Sequence, residues 1–408
     1  MQQTIVIVGG GQVAAQVVES LRREGATAHL IVIGEEPYPP YQRPPLSKKF
    51  LTGEIAQERL SLKPATFYAS HDAELKLGRR AVALDAKSHR LTLDDGQSLE
   101  YQRLLLATGA LPRRINAPGS ELSGIYLLRT VDDVLAIRAA LTAPRRVVIV
   151  GAGYIGLEVA ASCRHLGHEV DIVEMADRVM NRVVGPEVSA FYERVHREQG
   201  VRMHMSTQLA GFDGDAHGHV RAVIASDGRR FAADLVVIGA GVVPNTALAE
   251  QAGIVCDNGI AVDEYCRTSD PDVYAAGDCT SHPSPRYGRR VRLESVDNAF
   301  EQAKTAAANL MDKSLAHERV PWFWSDQYTL KLLIVGLSQG YDRTVVRGDP
   351  NTHSFSCCYL RGEELIAIDC INHPKDYMSA RKLIAERVHM DVGRLADAGL
   401  ALKDAVVA

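Results

Sequence analysis

The chain has 408 residues, of which 46% are hydrophobic and 24% are charged, and its formal net charge is −4. The length predicts two or three domains, and the composition is typical of a globular protein rather than a disordered or membrane chain. Nucleic-acid binding needs a concentrated basic face, and the charge totals indicate none. Neither a secretion signal nor a run of about 20 apolar residues is present, so we expect a cytoplasmic protein without a membrane span.

A first strand-helix-strand pattern begins close to the start of the chain. The β-branched run Ile5 to Val8 leads into Gly9-Gly10-Gly11, a helix that reaches about Glu24, and a second strand, His29 to Ile33. In a dinucleotide-binding turn of this kind the first glycine permits a tight turn, and the second lets the backbone approach a pyrophosphate at the helix N-terminus. The third position must be small, and Ala14 meets that requirement.

A second copy of the pattern begins at Val147. The strand Val147 to Val150 precedes Gly151-Ala152-Gly153-Tyr154-Ile155-Gly156, a helix runs to about Leu166, and a strand extends from Glu169 to Val173. Strands that alternate with helices in this way indicate parallel sheets. The repeat therefore predicts an α/β protein with two Rossmann-like nucleotide domains.

An acidic residue follows the second strand of each copy, where a carboxylate accepts hydrogen bonds from ribose hydroxyls. Glu35 has this position in the first copy, with Glu36 as the alternative, and Glu174 has it in the second. A carboxylate at Glu174 would repel a ribose phosphate, and no arginine cluster follows it, so the sequence favours NADH over NADPH. Arg178 is the basic residue nearby, and we expect it to be a solvated surface side chain.

A β-rich stretch follows each copy. After the first, strands between Ala81 and Leu93 lead to a strand that ends at Ala107-Thr108-Gly109. After the second, a strand from Val220 to Ile224 leads to one that ends at Gly239-Ala240-Gly241. From about Pro321 the pattern changes to strand-like runs closed by a helix, which predicts a separate C-terminal α+β domain.

Six short motifs resemble those of one family. They are Arg43-Pro44-Pro45-Leu46-Ser47-Lys48, Ala107-Thr108-Gly109, Gly151-Ala152-Gly153-Tyr154-Ile155-Gly156-Leu157-Glu158, Thr268-Ser269-Asp270-Pro271, Ala276-Gly277-Asp278-Cys279 and Pro321-Trp322-Phe323-Trp324-Ser325-Asp326-Gln327-Tyr328. Together they resemble the NADH-dependent ferredoxin reductases that serve oxygenases, above all the putidaredoxin-reductase type, across nearly the whole chain. Reductases of ring-hydroxylating dioxygenases are the next closest.

The resemblance implies a glutathione-reductase-type fold with tightly bound, non-covalent FAD. The implied FAD domain is discontinuous, with residues 1–111 and 240–319; the NAD domain has residues 112–239, and a C-terminal domain of residues 320–408 covers the flavin. The implied activity takes a hydride from NADH and passes single electrons to a [2Fe-2S] ferredoxin. That ferredoxin would feed an oxygenase, with a cytochrome P450-type monooxygenase as the first expectation.

The resemblance also assigns roles to individual residues. Lys48 would lie beside the isoalloxazine and pair with Glu158, where the nicotinamide arrives. Trp324 would stand between flavin and ferredoxin, whereas Trp322 is equally well a core aromatic. Asp278, in what we take as a strand-to-helix sequence, would bind the FAD ribityl chain, with a helix N-cap as the alternative or additional role.

The remaining candidate cofactor-binding residues come from the glycine turns, the ends of strands and the family motifs. They are Gly9, Gly11, Val13, Ala14, Glu35, Arg43, Ala81, Ala107, Thr108, Gly109, Arg129, Gly151, Gly153, Tyr154, Ile155, Gly156, Glu174, Gly241 and Val296. No metal site is expected.

The cysteines exclude thiol chemistry. Disulfide reductases of the same plan need two cysteines four residues apart on the helix that contacts the flavin, and this chain has no cysteine before Cys163. The seven cysteines form no CxxC pair, so we expect buried, reduced thiols and chemistry on the flavin alone.

The resemblance also implies a protein partner. An acidic ferredoxin would dock on a local basic rim, with these candidates: Lys63, Lys304, Arg289, Arg290 and Arg292. A rubredoxin partner, a direct NADH oxidase or flavin reductase, and an NADH-sensing protein like the apoptosis-inducing-factor group remain alternatives. We expect a monomer or weak dimer with neither nucleic acid nor membrane as partner.

Overall fold

A computed structural model describes residues 3–64 and 66–407, which fold into two compact units. The first unit comprises the chain up to Arg43, Gln57–Leu111 and Val242–Arg319. The second comprises Pro44–Ala56, Pro112–Gly241 and the chain from Val320. Within the described ranges, no helix is long and apolar enough to cross a membrane.

The strands are numbered in chain order. They are β1 Thr4–Val8, β2 His29–Gly34, β3 Ala73–Leu77, β4 Ala81–Asp85, β5 Arg90–Leu93, β6 Ser98–Glu100, β7 Arg103–Leu106, β8 Ala110–Pro112, β9 Ile125–Leu127, β10 Arg146–Val150, β11 Glu169–Val173, β12 Val201–His204, β13 Leu209–Gly214, β14 Val220–Ala225, β15 Arg230–Ala232, β16 Leu235–Ile238, β17 Val242–Pro244, β18 Ile260–Ala261, β19 Val273–Ala275, β20 Thr280–Ser284, β21 Arg289–Val291, β22 Trp322–Gln327, β23 Leu330–Gly336, β24 Arg343–Asp349, β25 Ser354–Arg361 and β26 Glu364–Ile371.

The helices are numbered in the same way. They are α1 Gln12–Arg23, α2 Phe67–Ser70, α3 Val131–Ala140, α4 Tyr154–His165, α5 Pro186–Glu198, α6 Ala247–Gln251, α7 Val296–Leu310, α8 Pro374–Ala385 and α9 Val392–Ala396. Short 3-10 turns occupy Pro44–Ser47, Gln57–Leu60, Pro350–Thr352 and Leu402–Ala405.

A five-stranded parallel sheet forms the centre of the first unit, in the order β19-β7-β1-β2-β3. Ile5 and Ile7 of β1 pack against helices α1 and α7, whereas Val6 and Val8 pack on the opposite face with the small antiparallel sheet β4-β5-β6. A strand that is covered on both faces needs apolar residues at every position. This explains the unbroken apolar run from Ile5 to Val8 in β1.

The second unit repeats this arrangement with the parallel sheet β12-β11-β10-β16-β9. Strand β10 lies between β11 and β16 as β1 lies between β2 and β7. The predicted repeat and the α/β fold class are therefore confirmed. In both units the glycine turn follows the central strand, so each turn lies at the carboxyl edge of a parallel sheet, where α/β proteins bind their ligands.

The C-terminal part of the second unit is an antiparallel sheet, in the order β22-β23-β26-β25-β24, with α8 and α9. Successive side chains of β22 point to opposite faces. Trp322 and Trp324 pack on the C-terminal core, whereas the ring of Phe323 lies 4.6 Å from the Tyr154 ring of α4. Strand β22 thus joins the core of this sheet to the helix that begins at the second glycine turn.

One local expectation is wrong. The sequence Ala276-Gly277-Asp278-Cys279 lies between strands β19 and β20, not between a strand and a helix. Asp278 therefore sits in a strand-to-strand turn, and the helix N-cap role is excluded because no helix follows it.

A buried ion pair ties β24 to α8. The Arg347 guanidinium lies 3.0 Å from the Asp376 carboxylate, with side-chain exposures of 2% and 5%, and it also donates to the carbonyls of Leu395 and Leu400. We predict that Arg347→Met lowers the free energy of unfolding by about 3 kcal/mol or more, because it leaves a buried carboxylate without its counter-ion. Urea unfolding followed by circular dichroism would measure this loss.

The matched control is Arg361→Met, which breaks the exposed pair with Glu364. That change should stay within about 0.5 kcal/mol. Equal losses in the two variants would contradict the prediction.

Candidate active site

The first glycine of each turn is fixed by backbone packing. Gly9 has φ +126° and a Cβ on it would overlap the carbonyl oxygen of Ala107; Gly151 has φ +108° and a Cβ would overlap that of Gly239. A positive φ of this kind is strained for other residues. Both positions therefore require glycine in order to form the turn itself.

The second glycine of each turn faces open space. Gly11 and Gly153 are the N-cap residues of α1 and α4, and a Cβ on either would meet no atom within 4 Å. No side chain caps either helix, so the first-turn N–H groups are left for another acceptor. An open space in front of unsatisfied N–H groups at a helix N-terminus fits a pyrophosphate.

The third positions differ in how closely the helix approaches the strand. A Cβ on Gly156 would overlap the carbonyl oxygen of Gly151, whereas the Ala14 side chain fits in a fully buried position. The first turn therefore accommodates one more carbon than the second.

The two acidic residues after β2 have different surroundings. Glu36 accepts hydrogen bonds from the Arg43 guanidinium at 2.7 Å and the Tyr41 hydroxyl at 2.5 Å. Glu35 directly follows β2 and its side chain is exposed. Because the Arg43 guanidinium neutralises the Glu36 carboxylate, whereas the Glu35 side chain is exposed, Glu35 remains the better candidate for a ribose.

Glu174 is held beside the second glycine turn. Its carboxylate accepts the Ala152 N–H at 2.6 Å and the Ala176 N–H at 2.7 Å. Arg178 does not lie free in solvent as expected: its guanidinium donates to the carbonyls of Val184 and Asn181 at 2.8 and 2.9 Å. That expectation is wrong, because the loop after Glu174 folds back and uses the arginine to satisfy its own carbonyls.

The turn with Asp278 is supported from α7 by Gln302, a residue that sequence reasoning missed. The buried side-chain carbonyl of Gln302 accepts the Gly277 N–H at 2.7 Å and the Thr280 hydroxyl at 2.9 Å. A Cβ on Gly277 would lie 2.8 Å from Val13, so this turn packs against α1. No sequence signal marked it, because the buried face of α7 also contains other polar residues, such as Asn298 and Asn309.

Other predicted FAD residues share this neighbourhood of the first unit. Burial alone would lower the Arg43 pKa, but Tyr41, Glu36 and Asp278 outweigh that effect and raise it, so the guanidinium stays charged. The Thr108 hydroxyl donates to the Asn245 carbonyl at 2.6 Å. Electrostatics thus connect Arg43 with Asp278.

Three further predicted residues lie elsewhere in their units. Ala81 begins β4 and packs on the sheet face opposite α1. Val296 is the first residue of α7, after the N-cap Ser295. Arg129 directly precedes Thr130, the N-cap of α3, and its backbone N–H donates to Asp133.

In the second unit the structure brings Lys48 and Glu158 together. The Lys48 ammonium lies 2.7 Å from Glu158 Oε2, with side-chain exposures of 18% and 4%. Two residues without a predicted role also donate to this carboxylate: Ser47 at 2.5 Å to Oε2 and Ser325 at 2.7 Å to Oε1. The Ser162 hydroxyl, one turn after Glu158 on α4, donates to the Ser47 carbonyl at 2.7 Å and anchors the lysine segment.

Three further candidates of this unit, Trp324, Ile155 and Gly241, make fewer polar contacts than Glu158. Trp324 stacks on Trp322 with ring centroids 5.4 Å apart, and both are half-buried against the C-terminal core. Ile155 is 44% exposed at the first turn of α4. Gly241 has φ +87° and accepts a hydrogen bond from the Arg113 N–H.

None of the thiols is set up as a nucleophile. Six of the seven cysteines are buried, and burial raises the pKa of every one of them, that of Cys163 to about 12. A reactive cysteine needs the opposite shift, toward the thiolate. Among the described residues no cluster of three or more His, Cys, Asp or Glu could hold a metal ion.

Most of the proposed basic rim is paired with carboxylates. Lys63 lies 2.9 Å from Glu19, Lys304 lies 2.9 Å from Glu301, and Arg292 pairs with Glu294. Arg290 donates to the carbonyls of Val262 and Ser281, whereas Arg289 is exposed on β21. The rim therefore carries less net positive charge than the sequence indicates, and its role stays a prediction.

Comparison with known proteins defines the class as an oxidoreductase. The model of the pyridine nucleotide-disulphide oxidoreductases matches residues 3–303, and a reductase C-terminal model matches residues 322–406. The chain belongs to the pyridine nucleotide-disulphide oxidoreductase family, and it is a flavoprotein that uses FAD and NAD(H). The open helix N-termini at Gly11 and Gly153 fit the pyrophosphate groups that both cofactors contain.

Individual relatives match over the full chain. The ferredoxin reductase subunit of 5,5'-dehydrodivanillate O-demethylase from Sphingobium sp. is 44% identical over 99% of this chain and 98% of its own length. A solved covalent complex of putidaredoxin reductase with putidaredoxin matches with 41% identity, TM-score 0.95, and coverage of 98% and 97%. The ferredoxin reductase for the CYP199A2 system from Rhodopseudomonas palustris matches with 39% identity, TM-score 0.96 and full coverage (100%) of both chains. The resemblance to oxygenase-coupled ferredoxin reductases is confirmed.

The two glycines of the first turn should respond differently to alanine. We predict that Gly9→Ala destabilises the apoprotein by about 2 kcal/mol, because the turn must strain or open. Gly11→Ala should change that stability by less than about 0.5 kcal/mol yet weaken FAD binding about 10-fold, because its methyl group enters the open space. Urea unfolding of the apoprotein and titration with FAD would measure the two effects, and undiminished FAD affinity in Gly11→Ala would contradict the assignment.

Proposed function

We propose that this protein takes a hydride from NADH and passes the electrons one at a time to a [2Fe-2S] ferredoxin that feeds an oxygenase, with a cytochrome P450-type monooxygenase favoured. The observation that carries this proposal is the full-length likeness, with TM-score 0.95, to a reductase that was solved in a covalent complex with putidaredoxin. The second solved relative serves the CYP199A2 system.

The thiols support the same conclusion. Every cysteine has a raised pKa and six are buried, so a thiol relay between NADH and an acceptor has no nucleophile to use. FAD, when bound, accepts a hydride as a two-electron unit and can release the electrons singly. The protein then has to bind both cofactors, orient them and supply charge.

Lys48 is proposed to supply that charge. A fixed ammonium beside a cofactor favours the negative charge that reduction adds. Glu158 holds the ammonium at 2.7 Å and lowers the cost of burying it. The two residues therefore act together, and neither performs proton transfer in this proposal.

NADH-driven reduction of cytochrome c by the purified yellow protein would test the proposed function. The assay is run with and without a two-iron ferredoxin while oxygen uptake is recorded. Strong dependence on the ferredoxin with little oxygen uptake is expected. Fast oxygen consumption that is indifferent to ferredoxin would overturn the proposal and favour an NADH oxidase, and stimulation by rubredoxin alone would replace the partner.

Glu174 is proposed to select NADH. Its carboxylate is fixed by two backbone N–H groups, so it cannot easily turn away from a ribose phosphate. We predict that Glu174→Ala lowers kcat/KM for NADH about 10-fold and reduces discrimination against NADPH, because a ribose hydrogen bond and a like-charge repulsion are both lost.

The control is Asp177→Ala, which removes an exposed carboxylate from the same loop. Steady-state kinetics with each coenzyme would compare the variants. An unchanged ratio of the two kcat/KM values in Glu174→Ala would show that selection lies elsewhere.

A further inference from the structure

A chain of buried polar side chains runs away from Glu158. Behind Ser325, the Gln327 amide nitrogen lies 3.2 Å from the Ser325 hydroxyl, and its carbonyl oxygen lies 2.9 Å from Nε2 of His196. The other ring nitrogen of His196, Nδ1, lies 3.1 Å from the Tyr328 hydroxyl. Ser325, Gln327 and His196 are at most 1% exposed, so water does not compete for the bonds among these three residues, whereas Tyr328 at the far end is half-buried.

The donors of this chain all point toward Glu158. Burial lowers the pKa of His196 to about 4, so its ring is neutral and carries one N–H. Because the Gln327 amide group donates to Ser325, its oxygen faces His196 and requires the proton on Nε2. Nδ1 then accepts from Tyr328, and the Ser325 hydroxyl donates to the carboxylate.

The alternation of β22 builds this chain. Ser325 and Gln327 lie on the strand face toward α4 and α5, and the two tryptophans lie on the other. Helix α5 contributes His196, and the turn after β22 contributes Tyr328. Hydrogen bonds in series polarise one another, so a carboxylate at the end of such a chain gains more than one isolated donor would provide.

We propose that Ser325, with Gln327, His196 and Tyr328 behind it, forms a set of positioning residues that holds the Glu158 carboxylate in one orientation and thereby fixes the Lys48 ammonium. Oε1 is held by Ser325, which leaves Oε2 for Ser47 and Lys48. This inference rests on the proposed role of Lys48 in the reaction. It adds Ser325, Gln327 and Tyr328 of the C-terminal domain and His196 of α5.

Lys48→Gln provides the reference for the test. In the FAD-loaded protein it should slow reduction by NADH about 10-fold and shift the midpoint potential of the bound flavin to a more negative value. Ser325→Ala should change both quantities in the same direction, with a rate loss of about 10-fold because Oε1 loses its donor. Ser325→Thr keeps the hydroxyl and should restore most of the rate.

The double variant separates positioning from general damage. If Ser325 acts through Lys48, adding Ser325→Ala to Lys48→Gln should slow reduction by NADH little further, since both changes act through the same ammonium group. Ser189→Ala is the matched control: Ser189 is a fully buried serine of α5 whose hydroxyl donates to the Val179 carbonyl. It should lower thermal stability without moving the potential.

A second pair of variants guards against a misfolded Ser325→Ala. Tyr328→Phe removes the hydroxyl at the far end of the chain and should slow reduction by about 2-fold to 5-fold, with the same direction of potential shift. Tyr192→Phe removes a buried hydroxyl that has no hydrogen-bond partner in the part of the chain that is described. It should leave both quantities unchanged.

The outcomes distinguish the two proposals. If Lys48→Gln leaves the rate and the potential unchanged, the proposed role of Lys48 is wrong and the inference falls with it. If Lys48→Gln is impaired but Ser325→Ala and Tyr328→Phe behave like their controls, or if the effects of Ser325→Ala and Lys48→Gln are additive, the inference alone is overturned.

Discussion

The structure of the second unit depends on one buried carboxylate. Glu158 is 3% exposed and receives a lysine ammonium and two serine hydroxyls. An isolated carboxylate at such a depth would be costly, because burial removes the water that stabilises its charge. Its three donors come from two separate stretches of chain, the segment at residues 47 and 48 and strand β22, which both converge on α4. The same contacts therefore determine both how these stretches pack and where the charges lie.

The sequence was most informative where geometry is imposed by the backbone. The first two glycines of each copy could be interpreted because a tight turn and an open helix N-terminus both require glycine. A carboxylate after the next strand completes the pattern. Gly9 and Gly11 meet these two requirements separately. The space that a Cβ on Gly9 would need is occupied by the Ala107 carbonyl, whereas the space next to Gly11 is open. Unbroken apolar runs such as β1 identified the central strands for a similar reason.

Sequence reasoning failed where a polar residue acts through burial. Ser325 and Gln302 look like ordinary surface residues in a sequence, because serine and glutamine are mostly exposed and no periodic pattern marks an exception. Asp278 was assigned to the wrong kind of turn because β20 is short and contains a proline, which hides a strand. Arg178 was misjudged because its partners are backbone carbonyls of a loop, and such partners leave no trace in side-chain pattern.

The wide spacing of the groups around Glu158 has a consequence for how the protein is made. Lys48 lies 110 positions before Glu158, and Ser325 lies 167 positions after it. During synthesis the lysine segment leaves the ribosome long before its carboxylate exists, and the carboxylate waits for the C-terminal domain before its second oxygen is satisfied. Long-range contacts of this kind form late and slowly, because the loops they close carry a large entropic cost. A nascent chain that has completed both nucleotide domains thus still lacks one of the three donors to this carboxylate, and the last domain to emerge is the one that completes its hydrogen bonding.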